Sequence, residues 1–239
     1  MQDFFQRLAF DFNNNIIEGD RYLMLLNGLS RTLLIAFSAA LIGILLGALL
    51  ALMRLSNWRI GKRLYPLRKL SSFYIDLIRG TPVVVQLMIM YYIVLAATSL
   101  SKEAIAIISF GLNSAAYTSE IIRGGILAVD KGQTEAGRSL GLSGPQTMML
   151  IILPQSVRIV IPSLINEFIM LLKETSVVGF IGLMDLTKAG DFIRSRTFSA
   201  FFPLLTVAAI YFLLVSVLTR LFDSLERRLR KGDGRPTGL

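Results

Sequence analysis

Residues Leu33 to Met53 read LLIAFSAALIGILLGALLALM, a run of 21 residues without one charged side chain. About 20 apolar residues in a helix cross the roughly 30 Å hydrocarbon core of a bilayer. Because every backbone polar group must be paired inside a membrane, such a run predicts a spanning helix. This stretch therefore predicts an all-α integral membrane protein.

Four further apolar stretches raise the predicted number of transmembrane helices to about five. We place them at residues 80–101, 104–120, 148–172 and 197–219. Lys102 and Glu103 are expected in the short outer turn between the second and third spans. The fourth stretch contains Pro162, Asn166 and Glu167, so its polar side is expected to face protein or water.

Cations mark the two ends expected on the inner side of the membrane. The first inner loop carries Arg54, Arg59, Lys62, Arg63, Arg68 and Lys69, and the end of the chain carries Arg220, Arg227, Arg228, Arg230, Lys231 and Arg235. Inner loops of membrane proteins are enriched in Lys and Arg, which places the N-terminus outside and the C-terminus inside. We divide the chain into an extracytoplasmic or interfacial segment 1–28, a transmembrane domain 29–229 and a cytoplasmic tail 230–239. A multi-pass protein of the bacterial cytoplasmic membrane is expected.

The composition argues against two other classes of protein. The chain has no Cys and no His, which removes thiol nucleophiles, imidazole metal ligands and His-based triads, so neither an enzyme nor a metal site is expected. The formal charge is +9. Because the basic residues separate apolar runs instead of forming a soluble basic face, nucleic acid is not an expected partner.

Residues Lys131 to Leu140 are predicted to form a short cytoplasmic helix. Gly141 supplies a left-handed cap at its end, and the small residues Ala136, Gly137 and Ser139 are expected on its surface. Such a helix either lies in a groove of another protein or is a solvated connector.

Two cap signals place the starts of neighbouring spans. Thr81 and Pro82 are predicted as the N-cap and first residue of the second span. Ser143 and Gln146 form a predicted capping box before the fourth.

The sequence from Glu135 to Gly141, EAGRSLG, followed by Ile152-Leu153-Pro154, resembles the cytoplasmic EAA loop of ATP-binding cassette (ABC) importer permeases. Flanking stretches resemble the polar amino acid branch of that family, which carries His, Glu, Gln, Arg or opines. These stretches are Ile78 to Pro82, Asn113 to Tyr117, Glu120 to Ile126, Lys131 to Gln133 and Leu171 to Ser176. The resemblance covers residues 29 to 229.

The resemblance implies a type I importer permease (MetI-like) fold and a division of labour between chains. It makes 130–145 the coupling loop, in which Glu135, Ala136, Gly137 and Gly141 dock on a separate ABC ATPase subunit. ATP and Mg would bind to that partner, with no cofactor in this chain. A second permease, identical or different, would complete the pore, and an extracytoplasmic solute-binding protein would deliver an amino acid.

The loop departs from the family pattern at two positions. Gly137 stands where Ala is usual, and Asp130 stands where Pro is frequent. Both are expected to loosen the coupling helix locally, since Gly costs up to about 1 kcal/mol relative to Ala inside a helix.

Polar residues within the apolar segments are candidates for the substrate path. They are Asn113, Tyr117 and Glu120 on one face of the third span, and Asn166, Glu167 and Lys173 on the fourth. Carboxylates and amide oxygens suit the ammonium group of an amino acid, and Lys173 suits its carboxylate. Alternatively, Glu120 pairs with Arg123, and Lys173 pairs with an acid, only to hold the bundle together.

One alternative function remains, and the glycines of the first span have a structural explanation. A transporter driven by an ion gradient is the alternative function, but no inverted repeats are evident among five spans. Gly43 and Gly47, four residues apart, are expected to allow close helix packing and to have no role in a site.

Overall fold

The computed structural model describes Gln6, residues 9–56 and residues 65–231, the last seven of them by their backbone only. In these ranges the chain is helical, with turns and no strand. Arg59, Lys62 and Arg63 of the first inner loop, Arg235 and the rest of the tail after 231 lie outside the described residues.

After α-helical residues at 9–12, nine α-helices follow one another between residues 21 and 231 of the described ranges. They are α1 (Arg21–Leu55), α2 (Pro66–Arg79), α3 (Val83–Ile89), α4 (Lys102–Leu127), α5 (Lys131–Ser139), α6 (Gly144–Thr147), α7 (Leu153–Glu174), α8 (Leu186–Thr197) and α9 (Phe201–Lys231). Segments of π-helix at Asn13–Ile17, Met90–Val94 and Met148–Ile152 and 3-10 segments at Glu18–Asp20 and Thr175–Ile181 join some of them.

Four helical stretches are long and apolar enough to cross a membrane, and a bent pair makes a possible fifth. The four are Ala9–Leu55, Lys102–Leu127, Gly144–Ile181 and Phe201–Ser224. The pair consists of α2 and the stretch Val83–Val94, which meet at 106°. The prediction of an all-α membrane protein with about five spans is confirmed.

The second span differs from the expected straight helix over 80–101. Helix ends at Val94, and 12 residues from Val83 extend only about 18 Å. Thr81 does not cap α3: its hydroxyl donates to the Leu77 carbonyl oxygen at 3.0 Å, and Pro82 is the N-cap residue. The predicted cap was wrong because Thr81 satisfies a carbonyl at the end of the preceding helix α2.

Two other predicted boundaries were wrong by several residues. Lys102 and Glu103 are the first residues of α4 and not an outer turn. Helix α1 begins at Arg21, well before the uncharged run starts at Leu33. Charged residues extend a spanning helix beyond the hydrocarbon, so hydropathy alone underestimates helix length.

The chain forms two compact units. The first comprises Met1–Ala39, Pro82–Phe110 and Met170–Leu218. Its core joins the π-helical segment Asn13–Ile17, the start of α1, helix α8 and the first half of α9. The buried residues are Ile16, Leu25, Leu186, Ala189, Ile193 and Val207. A Cβ on Gly28 of α1 would lie 2.6 Å from the Asp185 carbonyl oxygen, so a glycine is needed for this approach.

The start of α8 is a buried polar junction in the first unit. The Asp185 carboxylate accepts hydrogen bonds from the backbone N–H groups of Thr187 and Lys188 at 3.1 and 2.9 Å. Thr32 of α1 accepts from the Leu186 N–H at 3.2 Å. Burial raises the pKa of Asp185, while the N–H groups of Lys188 and Thr187 act in the opposite direction.

The second unit comprises Ala40–Thr81, Gly111–Ile169 and Thr219–Leu239. In it, α1 packs closely on α4: a Cβ on Gly43 would lie 2.7 Å from Ser114 Oγ, and one on Gly47 would lie 2.7 Å from Thr118 Cγ2. The predicted packing role of the two glycines is confirmed. Helix α4 is the most enclosed span, with 61% of its apolar window buried.

Candidate coupling surface and translocation path

Helix α5 is fixed at its start by Asp130. The Asp130 carboxylate accepts a hydrogen bond from the Gly132 N–H at 2.7 Å. This satisfies one of the N–H groups that a helix leaves unpaired at its first turn, so Asp130 stabilises α5. The expectation that Asp130 loosens the helix was wrong, because it considered only the loss of proline and not the hydrogen bond that the Asp130 carboxylate accepts.

The end of α5 matches the sequence prediction. Gly141 has φ +83°, in the left-handed region that favours glycine. The Leu142 N–H donates to the Gly137 carbonyl oxygen at 3.1 Å, and the Arg138 guanidinium donates to the Leu142 carbonyl oxygen at 2.9 Å. Together these bonds turn the chain sharply into the predicted capping box, in which Ser143 and Gln146 bond reciprocally.

Gly137 lies on the inner side of α5 and not on its surface. The residue is buried, and a Cβ there would lie 2.7 Å from Thr147 Cγ2 and 2.9 Å from Ile151 Cδ1. The expected exposure of Gly137 was therefore wrong. Glycine at this position lets α5 pack tightly on α6 and on the π-helical segment after it, which offsets the helix propensity that it loses.

The rest of α5 and the two residues after it are exposed and include the other motif residues. Glu135, Ala136 and Gly141 are all exposed. Leu140 joins them with 80% of its surface exposed. Sequence analysis did not single out Leu140. Its position at the end of a polar helix, next to Gly141, could have indicated that it is exposed.

The base of α5 connects to the spans through a small apolar cluster. Ile126 and Val129, which precede α5, pack with Ile152 of the π-helical segment and with Leu55 at the end of α1. Gln155 Nε2 donates to Gln133 Oε1 at 3.2 Å. These contacts link the base of α5 to the ends of α4 and α1 and to the start of α7.

Glu120 belongs to an ion cluster in the second unit. Arg123 Nη2 donates to Glu120 Oε2 at 2.7 Å, and Arg54 of α1 forms an ion pair with Glu120 Oε1. The predicted alternative, a pair between Glu120 and Arg123, is confirmed. On the same face of α4, the Arg79 guanidinium lies 5.4 Å from the centre of the Tyr117 ring, and Asn113 is buried.

The polar residues of α7 are arranged differently. Asn166 and Lys173 are exposed on one stripe of the helix together with Met170, and Glu167 is half-buried. Ser114 Oγ of α4 donates a hydrogen bond to Glu167 Oε1 at 3.0 Å. Asn166 and Glu167 thus lie side by side at the exposed edge of the second unit. Ser114 was not selected from the sequence, because a serine in an apolar helix has no distinctive spacing.

The apolar spans, the exposed Asn166 and Lys173 on α7 and the packed short helix α5 are the features that the sequence predicted for a multi-pass membrane transport subunit. A family model described as binding-protein-dependent transport system inner membrane component matches residues 43–231. The chain belongs to this family.

Known relatives agree with this assignment. The chain is 38% identical over 211 residues to the arginine transport system permease protein ArtQ of Bacillus subtilis (strain 168), covering 87% of this chain and 94% of that protein. It is 35% identical to a putative glutamine transport system permease protein GlnP of Rickettsia typhi (strain ATCC VR-144 / Wilmington), with the same coverage. A crystal structure of an amino acid ABC transporter with histidines matches at TM-score 0.80 and 39% identity, over 87% of this chain and 94% of that one.

The protein is therefore a permease subunit of an ABC importer with the type I (MetI-like) fold. It is a multi-pass inner-membrane component and a transport subunit, not an enzyme. It works with a second permease and with a separate ATPase that hydrolyses ATP. These relationships favour an ATP-driven transporter over one driven by an ion gradient.

Proposed function

We propose that this subunit moves polar amino acids into the cell by alternating access, receiving them from an extracytoplasmic binding protein. The names of the two relatives, which refer to arginine and glutamine, support this class of cargo. ATP and Mg bind to the partner ATPase, and closure of that partner drives the change in the permease.

Coupling takes place at the exposed side of α5. Glu135 and Ala136 enter a cleft of the ATPase, and Leu140 fills an apolar pocket beside it. The observation that carries this proposal is that these residues are exposed while Gly137, in the same helix, is packed against Thr147 and Ile151. A helix held in this way transmits a displacement instead of absorbing it.

The cargo passes the polar edge of α7. The carboxylate of Glu167 and the amide oxygen of Asn166 receive the ammonium group, and Lys173, two turns further along the helix, attracts the carboxylate. Asn113 and Tyr117 stay predictions as path residues. Glu120 is assigned to the ion cluster with Arg54 and Arg123, because its carboxylate is engaged there.

A second permease chain, identical or closely related, faces the exposed stripe of α7. Asn166 and Lys173 are exposed within a span whose apolar window is only 17% buried in this chain. Polar side chains at membrane depth are costly in contact with lipid and face protein or water instead. Two such stripes facing each other enclose a polar route.

Reconstitution tests the proposal directly. The permease is placed in vesicles with its ATPase and binding protein, and uptake of labelled L-arginine and L-glutamine is measured with ATP. We expect ATP-dependent uptake of at least one of them. Uptake by the permease alone under an ion gradient, or no uptake of either amino acid, would overturn the proposal.

Charge reversal on α5 tests the coupling surface. Glu135→Arg is expected to abolish co-purification with the ATPase while the permease still inserts. Glu18→Arg, at an exposed glutamate outside α5, is the matched control and should leave association unchanged. Because the chain has no cysteine, Leu140→Cys gives a single cross-linking site, and a failure to cross-link to the ATPase would count against the assignment.

A further inference from the structure

Glu167 is held by a side chain that the cargo does not reach. Ser114 is 1% exposed, and its hydroxyl donates to Glu167 Oε1 at 3.0 Å. A hydrogen bond to an ionised carboxylate is stronger than one between neutral groups. A glutamate side chain has several rotatable bonds and loses entropy when it is fixed. The bond from Ser114 therefore orders Glu167 before any cargo arrives.

Ser114 is in turn confined by Gly43 of α1. A Cβ on Gly43 would lie 2.7 Å from Ser114 Oγ and 2.9 Å from Ser114 Cβ. Both distances are shorter than van der Waals contact permits, so any side chain at Gly43 displaces the hydroxyl. Gly47, one turn further along α1, makes a similar approach to Thr118 instead. Gly43 and Gly47 therefore approach different residues of α4.

We propose that Gly43 and Ser114 are positioning residues for Glu167, so that helix packing between α1 and α4 sets the geometry of the amino acid site. This inference rests on the proposed function of Glu167. Neither residue contacts the cargo: Ser114 orients the carboxylate, and Gly43 leaves the space that Ser114 needs. The packing of Gly43 therefore also serves the transport site.

The test uses the permease–ATPase complex in detergent and equilibrium binding of labelled L-arginine and L-glutamine without the binding protein. Ser114→Ala and Gly43→Ala are each expected to weaken binding about thirtyfold, the effect of losing one hydrogen bond to a charged group. Ser119→Ala is the matched control. Ser119 is a buried serine of α4 whose hydroxyl has no partner among the described residues. This control should bind as tightly as the unaltered complex.

A double-mutant cycle separates positioning from general damage to the bundle. In the Glu167→Gln background the hydroxyl meets a neutral acceptor, so Ser114→Ala should weaken binding by only about fivefold. The same loss in both backgrounds, or normal binding by Ser114→Ala, would overturn the positioning role. Unchanged binding by Glu167→Gln would overturn the proposed path itself, and no binding by the unaltered complex would overturn both.

Discussion

Replacing Gly137 by the alanine that is usual in the family is expected to weaken coupling in this chain. The added Cβ would lie 2.7 Å from the methyl group of Thr147 and 2.9 Å from Cδ1 of Ile151. The end of Ile151 can rotate away, but Thr147 is β-branched and stiff. Overpacking of this kind costs about 1–3 kcal/mol, and alanine regains about 1 kcal/mol of helix propensity.

The net penalty is about 1 kcal/mol, which shifts the balance between packed and displaced α5 roughly fivefold. The measurement is the number of amino acid molecules imported per ATP hydrolysed in vesicles. Gly137→Ala should lower this ratio while the ATPase still co-purifies, because the exposed side of α5 is intact. Adding Thr147→Ser, which removes the obstructing methyl group and keeps the hydroxyl, should restore most of it.

Thr134→Ser provides the control, since Thr134 is an exposed threonine of α5 itself. It should not rescue Gly137→Ala. A normal coupling ratio in Gly137→Ala would refute the packing argument. Equal rescue by Thr134→Ser and Thr147→Ser would refute the assignment of the obstruction to Thr147.

Three further substitutions test whether the carboxylates of Glu120, Asp130 and Asp185 stabilise the protein. Glu120→Gln leaves Arg54 and Arg123 without their carboxylate; because these side chains are 20–30% exposed, we expect about 2 kcal/mol of destabilisation, below the range for fully buried pairs. Thermal unfolding in detergent measures it, and a Tm equal to that of the unaltered chain would contradict the ion cluster's role. Asp130→Ala removes the N-cap of α5 and should cost about 1 kcal/mol, whereas Asp130→Asn should be nearly neutral; equal coupling ratios for the two variants would argue against capping. Burial raises the pKa of Asp185, so its protonated form stabilises the native state fully below about pH 4, and this contribution is lost as the pH rises through the raised pKa. Asp185→Asn should remove that pH dependence and retain the cap at neutral pH, while Asp185→Ala should lower the Tm; a pH profile unchanged by Asp185→Asn would contradict the buried carboxylate.

Local signals in the sequence predicted the elements around α5 well. The capping box of Ser143 and Gln146 and the left-handed turn at Gly141 depend on residues within a few positions of each other, so the chain specifies them before it folds. The prediction for Thr81 was wrong because two local hydrogen bonds were available to its hydroxyl. It could accept from the first turn of α3 or donate to a carbonyl oxygen at the end of α2, and it donates to Leu77 of α2.

The sequence by itself determined the class of the protein. Uncharged runs of about 20 residues leave the backbone no stable alternative to a spanning helix in lipid. The motif from Glu135 to Gly141 supports the proposal that this surface meets the ATPase.

Only the tertiary structure decided which partners Gly43, Ser114 and Gly137 have, and that Arg54 joins the predicted pair of Glu120 and Arg123. The contacts of Gly43, Ser114 and Gly137 are with other helical segments, and Arg54 lies 66 positions before Glu120 in the chain. No local pattern encodes these partners, because they meet only when separate helices pack together. Hydropathy and helix periodicity fix which residues enter the membrane, whereas side-chain packing fixes which of them meet.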